Sequence, residues 1–248
     1  MVPEEWPIAA PANDRSVEPA RRAGRARLST VRRDFFLVPT QRLAEQERAL
    51  MTAMLEGLVA EVADQLRAAI GHAANDDGGP TLLSELHASG LLDIPELVAL
   101  LLHRAEQIQM MSAIQSRGAH REGRLLQAEL SGEHAPVSAA AMALILGRGR
   151  RLDRFGQCRL EFDDVPKARV EPFAHGVAAA LGQRGASLQL ADAAAELIAR
   201  HQPSRSLDAI SAKLVEALAD HGRLDDDWLI SAAGEGEGAL LGHALARR

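Results

Sequence analysis

The chain has 248 residues, 47% of them hydrophobic and only 3% aromatic, and it carries a formal net charge of −6 at pH 7. Its 46 alanines and 35 leucines favour helices over strands, which excludes a sandwich, a barrel or a doubly wound sheet and predicts an all-α fold. The negative charge makes nucleic acid and anionic membranes poor partners for the protein as a whole.

Cysteine usage and hydropathy together predict a cytoplasmic protein. Cys158 is the single cysteine, which cannot form an internal disulfide and fits a reducing compartment. The first residues lack the basic and apolar regions of a secretory signal. The apolar runs at 91–102 and 139–146 are interrupted or too short to span a bilayer. We therefore expect no membrane partner.

Proline content and apolar spacing divide the chain into three predicted parts. Residues 1–16 contain three prolines and no apolar period, which predicts a disordered lead-in. Residues 17–74 are predicted to form an N-terminal helical hairpin whose second helix, 43–70, is long and ends before Gly71. After a turn, residues 80–248 are predicted to form a separate domain of short helices.

The long helix 43–70 has the clearest apolar stripe in the sequence. Its apolar residues recur at spacings of four or seven, at Leu43, Leu50, Met54, Leu58, Val62, Leu66 and Ile70. A stripe of this kind packs against a neighbouring helix. That neighbour is either another part of the chain or a second copy, so a homodimer through helix 43–70 is one partner hypothesis.

Helix start and stop signals recur through the C-terminal part. They predict helices at 81–89, from the capping box Asp93–Glu96 to Gly118, and at 122–130, 137–146, 166–181, 187–201, 206–221, 227–233 and 239–246. Short amphipathic helices joined by tight turns predict an irregular HEAT-like array. Residues 155–165 alternate in polarity in part, which predicts a short extended connection.

A basic segment at 147–156 supplies the candidate binding residues. It contains four arginines, which are Arg148, Arg150, Arg151 and Arg154. Guanidinium groups clustered at a helix end bind phosphates or carboxylates of a partner. They also complement the dipole of their own helix and pair with acidic residues such as those at 161–164. A dinucleotide-binding loop is excluded, because Leu152 replaces the third glycine of that motif.

The pair His103–Arg104, followed by an apolar run, resembles the phosphoaccepting helix of one class of sensor histidine kinases. A phosphoaccepting histidine must be exposed, and its second nitrogen must be oriented by a neighbouring group, here Glu106 or Gln107. The Asn pair of that motif and a nucleotide-binding domain are missing. An exposed structural histidine is therefore the alternative for His103.

The remaining polar residues match no catalytic or metal-binding motif. The sequence has no H-E-x-x-H, no C-x-x-C, no calcium-binding loop and no nucleophile elbow. We therefore expect a non-enzymatic protein with no catalytic residue, no metal site and no cofactor.

Three segments resemble one protein family. They are FFLxP (35–39), LAEQERALM (43–51) and AMALILxRGRRxDRFG (141–156). They look like a family of uncharacterised alphaproteobacterial proteins classed as a domain of unknown function, and the match covers most of the chain from Val17. The resemblance implies an all-helical fold with HEAT-like pairs and implies no known activity, cofactor or catalytic residue.

Three functional hypotheses follow from the sequence. The first is a non-enzymatic helical-repeat module that binds another protein, in bacterial regulation, through a groove between hairpins and the segment from Arg148 to Arg154. The second is a histidine phosphotransfer and dimerisation bundle that uses His103. The third is anion or nucleic-acid binding through the same four arginines.

Overall fold

Helices make up the regular structure of the computed structural model, which describes residues 45–71, 79–92, 94–116, 123–153, 156–182 and 187–247. Over these ranges there are ten α-helices and no strand, which confirms the all-α prediction. The predicted lead-in at 1–16, the first helix of the predicted hairpin and Arg154 lie outside the described residues.

The ten helices run through a single compact unit, 45–248. They are α1 (Glu45–Ala69), α2 (Gly79–Ala88), α3 (Pro95–Ser116), α4 (Arg124–Leu130), α5 (Ala135–Arg150), α6 (Lys167–Gly182), α7 (Ser187–Arg200), α8 (Leu207–Asp220), α9 (Asp226–Gly234) and α10 (Gly238–Arg247). Two short 3-10 turns lie at Phe162–Asp164 and Pro203–Arg205. None of the described helices has an apolar stretch long enough to cross a membrane.

Two helices begin with a side-chain cap. The Ser206 side chain accepts a hydrogen bond from the Ala209 backbone N–H at 3.1 Å, at the start of α8. The Asp225 carboxylate accepts one from the Trp228 backbone N–H at 2.8 Å, at the start of α9. Each bond satisfies a donor that the first turn of a helix leaves without an intrahelical partner.

One local prediction is wrong and another is confirmed in part. The helix predicted to end before Gly147 continues to Arg150. A Cβ at Gly147 would lie 3.2 Å from Ile210 Cδ1, so this glycine allows α5 and α8 to approach closely and does not end the helix. The described part of the segment predicted as extended, 155–165, has no α-helix: Cys158 forms a bridge with Leu152 and Glu161 is extended, but a 3-10 turn follows at Phe162–Asp164.

The helices pack around two hydrophobic cores. The first core joins α1, α2, α3, α6 and α7 and includes Met54, Leu58, Leu97, Phe173 and Leu197. The second joins α4, α5, α8, α9 and α10 and includes Leu126, Leu144, Leu214, Trp228 and Leu240. The segment between α5 and α6 connects the two cores.

The apolar stripe of α1 is used inside its own chain. Met54, Leu58, Val62 and Leu66 are each at most 1% exposed within the first core. This corrects the idea that the same stripe holds a homodimer together, because the stripe already faces helices of the same chain. The division between 17–74 and 80–248 stays a prediction. The HEAT-like repeat also stays a prediction: α5 packs on its sequence neighbour α4, as a repeat of helix pairs requires, but it packs on the distant helix α8 as well.

Candidate functional site

A cavity of about 900 Å³ is lined by helices of both hydrophobic cores. Its walls come from α1 and α3, from the end of α5 with the segment that follows, and from the first turns of α8 and α10. Much of the lining is apolar, with Leu50, Ala53, Ile108, Met111, Leu152 and Leu207 among the lining residues. Three guanidinium groups also line it, from Arg104, Arg148 and Arg151.

Of these three arginines, Arg151 makes the most hydrogen bonds. Its side chain is 1% exposed, and its Nε and Nη2 donate to Asp164 Oδ2 and Oδ1 at 2.7 and 2.8 Å. Nη1 donates to the Gly147 carbonyl at 3.0 Å, and Nη2 also lies 3.1 Å from Glu161 Oε2. A guanidinium with this set of partners belongs to the core and has no free face for a ligand.

Arg148 also has a carboxylate of its own chain. Its Nη1 donates to Glu237 Oε1 at 2.7 Å, and its Nη2 donates to Glu237 Oε2. Glu237 is 5% exposed and sits between two glycines at the start of α10. Glu237 therefore already neutralises the Arg148 guanidinium.

The three candidate arginines that the structure describes thus do not form one exposed patch. Arg151 is buried, Arg148 is half-buried and paired, and Arg150 is exposed with its Nε 3.8 Å from Glu161 Oε1. Acidic residues at 161–164 supply partners, as one of the two sequence interpretations proposed. Of the three candidate arginines that the structure describes, only Arg150 has an exposed side chain that a partner could contact.

Arg104 differs from the other two arginines of the cavity. It is only 6% exposed, and its Nη1 donates to Gln107 Oε1 at 2.8 Å. Its Nε has no hydrogen-bond partner, and no carboxylate of the described residues forms an ion pair with it. Burial lowers the pKa of Arg104 because the charged form is partly removed from water.

His103 lies beside Arg104 on α3 and is exposed. Gln107 Nε2 is 3.0 Å from His103 Nε2. Because Gln107 Oε1 accepts from Arg104, the Gln107 amide nitrogen is the atom that faces His103 Nε2. Gln107, one of the two neighbours proposed to orient this histidine, thus contacts one ring nitrogen of His103.

Cys158 also lines the cavity. Burial raises the pKa of its thiol, although the nearby Arg104 guanidinium acts in the opposite direction. A thiol with a raised pKa is a weak nucleophile at neutral pH. No histidine is among the described lining residues, and the lining carboxylate, Glu237, is paired with Arg148.

Arg104 and Glu237 were not predicted as site residues. A signal for Arg104 does exist in the sequence, since it falls in the apolar stripe of α3 with Leu97, Leu101 and Ile108. A charged residue within such a stripe is either paired or functional. Glu237 gives a weaker signal, an acid placed between Gly236 and Gly238.

No family model, curated protein or solved structure matches this chain. The resemblance to the uncharacterised alphaproteobacterial family therefore stays a prediction. No group of three histidine, cysteine or acidic side chains in the described ranges is arranged to hold a metal ion. The cavity and its arginines are thus the features on which a functional argument rests.

Proposed function

We propose that this protein is a non-enzymatic helical binding module whose ligand occupies the cavity between the two cores. The observation that carries the proposal is the cavity itself, with a volume of about 900 Å³ and a largely apolar lining. Small-molecule sites in proteins have volumes of roughly 300–1,000 Å³ and combine apolar walls with a few fixed polar groups.

The polar groups of the cavity are held in place by their surroundings. Arg151 is fixed by Asp164 and by two backbone carbonyls. Arg148 is fixed by Glu237, and Arg104 is held on one side by Gln107. Groups fixed in this way lose little entropy when a ligand binds, which supports a preformed site.

A neutral fluorescent dye tests whether the cavity binds ligands at all. We expect Nile red to bind the full-length protein with a blue-shifted emission. Ala53 lies on α1 at the cavity wall, so Ala53→Trp fills part of the space and lowers dye affinity by about tenfold or more. Ala60, an exposed residue of the same helix, gives the matched control Ala60→Trp, which leaves the affinity unchanged.

The dye experiment has two outcomes that overturn the proposal. One is the absence of any Nile red binding to the folded protein. The other is equal affinity in wild type and Ala53→Trp, which places the dye elsewhere on the surface.

The partner-protein hypothesis stays a prediction within this proposal. Of the described arginines in the basic segment, Arg150 is the one open to a partner. A captured protein whose binding weakens with Arg150→Glu and also with Ala53→Trp would mean that the partner inserts a side chain into the cavity. Nucleic-acid binding is tested by the salt dependence of retention on a polyanion column.

Phosphotransfer at His103 also stays a prediction. Its test is incubation with a kinase or a phosphorylated response regulator, with His103→Gln as the control. Labelled wild-type protein with unlabelled His103→Gln would support this hypothesis, and the absence of labelled protein would remove it.

A further inference from the structure

The charges at the cavity are unequally compensated. Three guanidinium groups line it, and two of them have a carboxylate of the same chain within hydrogen-bond distance: Arg148 has Glu237 and Arg151 has Asp164. Arg104 has the neutral amide of Gln107. The cavity therefore holds one cation that no described carboxylate pairs with.

This cation is buried with an unused donor. Arg104 is 6% exposed, and its Nε has no hydrogen-bond partner in the described chain. A buried charge without a partner costs free energy, and so does a buried donor that makes no hydrogen bond. A bound anion lowers the cost of the buried charge, because it places the opposite charge beside Arg104 at the cavity wall.

The orientation of Arg104 is fixed before any ligand arrives. Gln107 accepts from Arg104 Nη1 at 2.8 Å, and its other amide atom is 3.0 Å from His103 Nε2. Gln107 is thus a positioning residue, since it holds one edge of the guanidinium. Arg104 is thereby held in a fixed position at the cavity wall, where a head group can approach it.

The rest of the cavity suits an apolar tail. Leu50, Ile108 and Met111 line it from α1 and α3, and Leu152 and Leu207 line it from the opposite wall. Each methylene that such walls remove from water improves binding by about fourfold, which corresponds to about 0.8 kcal/mol. A second negative charge on the ligand would have no further unpaired cation among the described lining residues, because Arg148 and Arg151 already have carboxylate partners.

We propose that the ligand of this cavity is a singly charged anionic amphiphile, such as a medium-chain carboxylate, whose head group binds the Arg104 guanidinium and whose tail lies along the apolar walls. This inference rests on the proposed function and specifies the ligand class. It assigns Arg104 the role of head-group receptor and Gln107 the role of positioning residue.

Paired ligands that differ only in the head group test the inference. Decanoate and decanol, both below their aggregation concentrations, are titrated against the full-length protein by displacement of Nile red. We expect decanoate to bind at least about tenfold more tightly than decanol. We also expect the affinity of octanoate, decanoate and dodecanoate to rise by about fourfold per methylene.

Variants assign the head-group site. Arg104→Gln should bring the affinity for decanoate down to that for decanol and leave decanol unchanged, while Arg104→Lys should retain part of the preference. Arg200→Gln, at an exposed arginine of α7, controls for non-specific attraction of the anion. Saturating decanoate should also slow alkylation of Cys158, the single thiol and a lining residue of the cavity.

The outcomes separate the ligand class from the proposed function. Equal binding of decanoate and decanol, unchanged by Arg104→Gln, overturns the inference and leaves the cavity as a binding site for neutral molecules. A second outcome also overturns the inference: Arg104→Gln keeps the preference for decanoate, whereas Arg150→Gln loses it. The head group would then bind at the surface, near Arg150. Absence of binding by the dye and by every ligand overturns both proposals.

Discussion

The Arg151 guanidinium and the Asp164 carboxylate form a two-point ion pair from which water is excluded. Both side chains are 1% exposed, and the two hydrogen bonds measure 2.7 and 2.8 Å. Asp164 Oδ1 also accepts from the backbone N–H of Leu207 at 2.9 Å. The pair therefore connects the end of α5, the 3-10 turn and the first residue of α8.

Removing one member of this pair should destabilise the protein strongly. We expect Arg151→Gln to lower the free energy of unfolding by about 3–5 kcal/mol, because Asp164 is then a buried charge without its cation. Urea denaturation followed by circular dichroism measures the change. Arg150→Gln is the matched control at the neighbouring exposed position, with an expected change below about 0.5 kcal/mol. Equal losses in the two variants would contradict the structural role of the pair.

Replacing Arg104 should have the opposite consequence for stability. Arg104→Gln removes a buried cation that forms no ion pair with a described carboxylate, so the free energy of unfolding should stay the same or rise by about 1–2 kcal/mol. Thermal denaturation of the ligand-free protein measures this effect. A loss as large as that of Arg151→Gln would show that Arg104 stabilises the fold, in conflict with a receptor role.

Gly236 should not tolerate a side chain. Its φ is +75°, and a Cβ there would lie 2.7 Å from Ile114 Cδ1 at the end of α3. We expect Gly236→Ala to cost more than about 1 kcal/mol in unfolding free energy. Gly242, where an added Cβ meets no atom within 4 Å, provides the control. Gly242→Ala should stabilise α10 by about 0.5–1 kcal/mol, and a cost at both positions would contradict the argument.

The buried carboxyl of Glu235 should make stability depend on pH. Burial, reinforced by the charge of Glu237, raises the pKa of Glu235. The folded state then binds the proton more tightly than the unfolded state. This contribution therefore lowers the unfolding free energy as pH rises from the ordinary glutamate pKa to the raised one.

Glu235→Gln should remove this contribution. The amide oxygen of glutamine can still accept the hydrogen bond from the Leu125 N–H, which is 2.9 Å in the wild type. The stability of the variant relative to wild type should therefore increase from acidic to neutral pH and then level off. Thermal denaturation over a pH series measures it, and a difference that is constant with pH would contradict the raised pKa.

The thiol of Cys158 should react slowly in the folded protein. Burial raises its pKa, so less thiolate is present at neutral pH and alkylation by iodoacetamide is suppressed. The rate should increase only at more alkaline pH than for a free thiol. The same protein in denaturant is the control, and equal rates in the two states at neutral pH would refute the prediction.

Much of the fold could be predicted because its signals are local. The apolar stripe of α1, the caps at Ser206 and Asp225 and the glycine after α1 are each legible within one turn of helix. Gly147 was misread because a glycine that ends a helix and a glycine that lets two helices approach have the same sequence signature. Only the position of Ile210 distinguishes the two.

The candidate site depends on long-range contacts that the sequence does not display. Arg148 meets Glu237 across 89 residues of chain, and nothing local indicates that Arg148 is neutralised there while Arg104 has no carboxylate. The basic segment 147–156 therefore attracted the functional prediction. Arg104 could have been selected by its position in the apolar stripe of α3, a placement that is costly unless the charge is used.

The walls of the cavity come from both ends of the described chain. Leu50 belongs to α1, whereas Ala239 belongs to α10. A ligand in the proposed site would contact helices of both cores, so its binding would stabilise the unit as a whole. A free ligand concentration of about a hundred times the dissociation constant adds about 2.7 kcal/mol to the free energy of unfolding. The melting temperature of the protein therefore measures ligand binding without a fluorescent label.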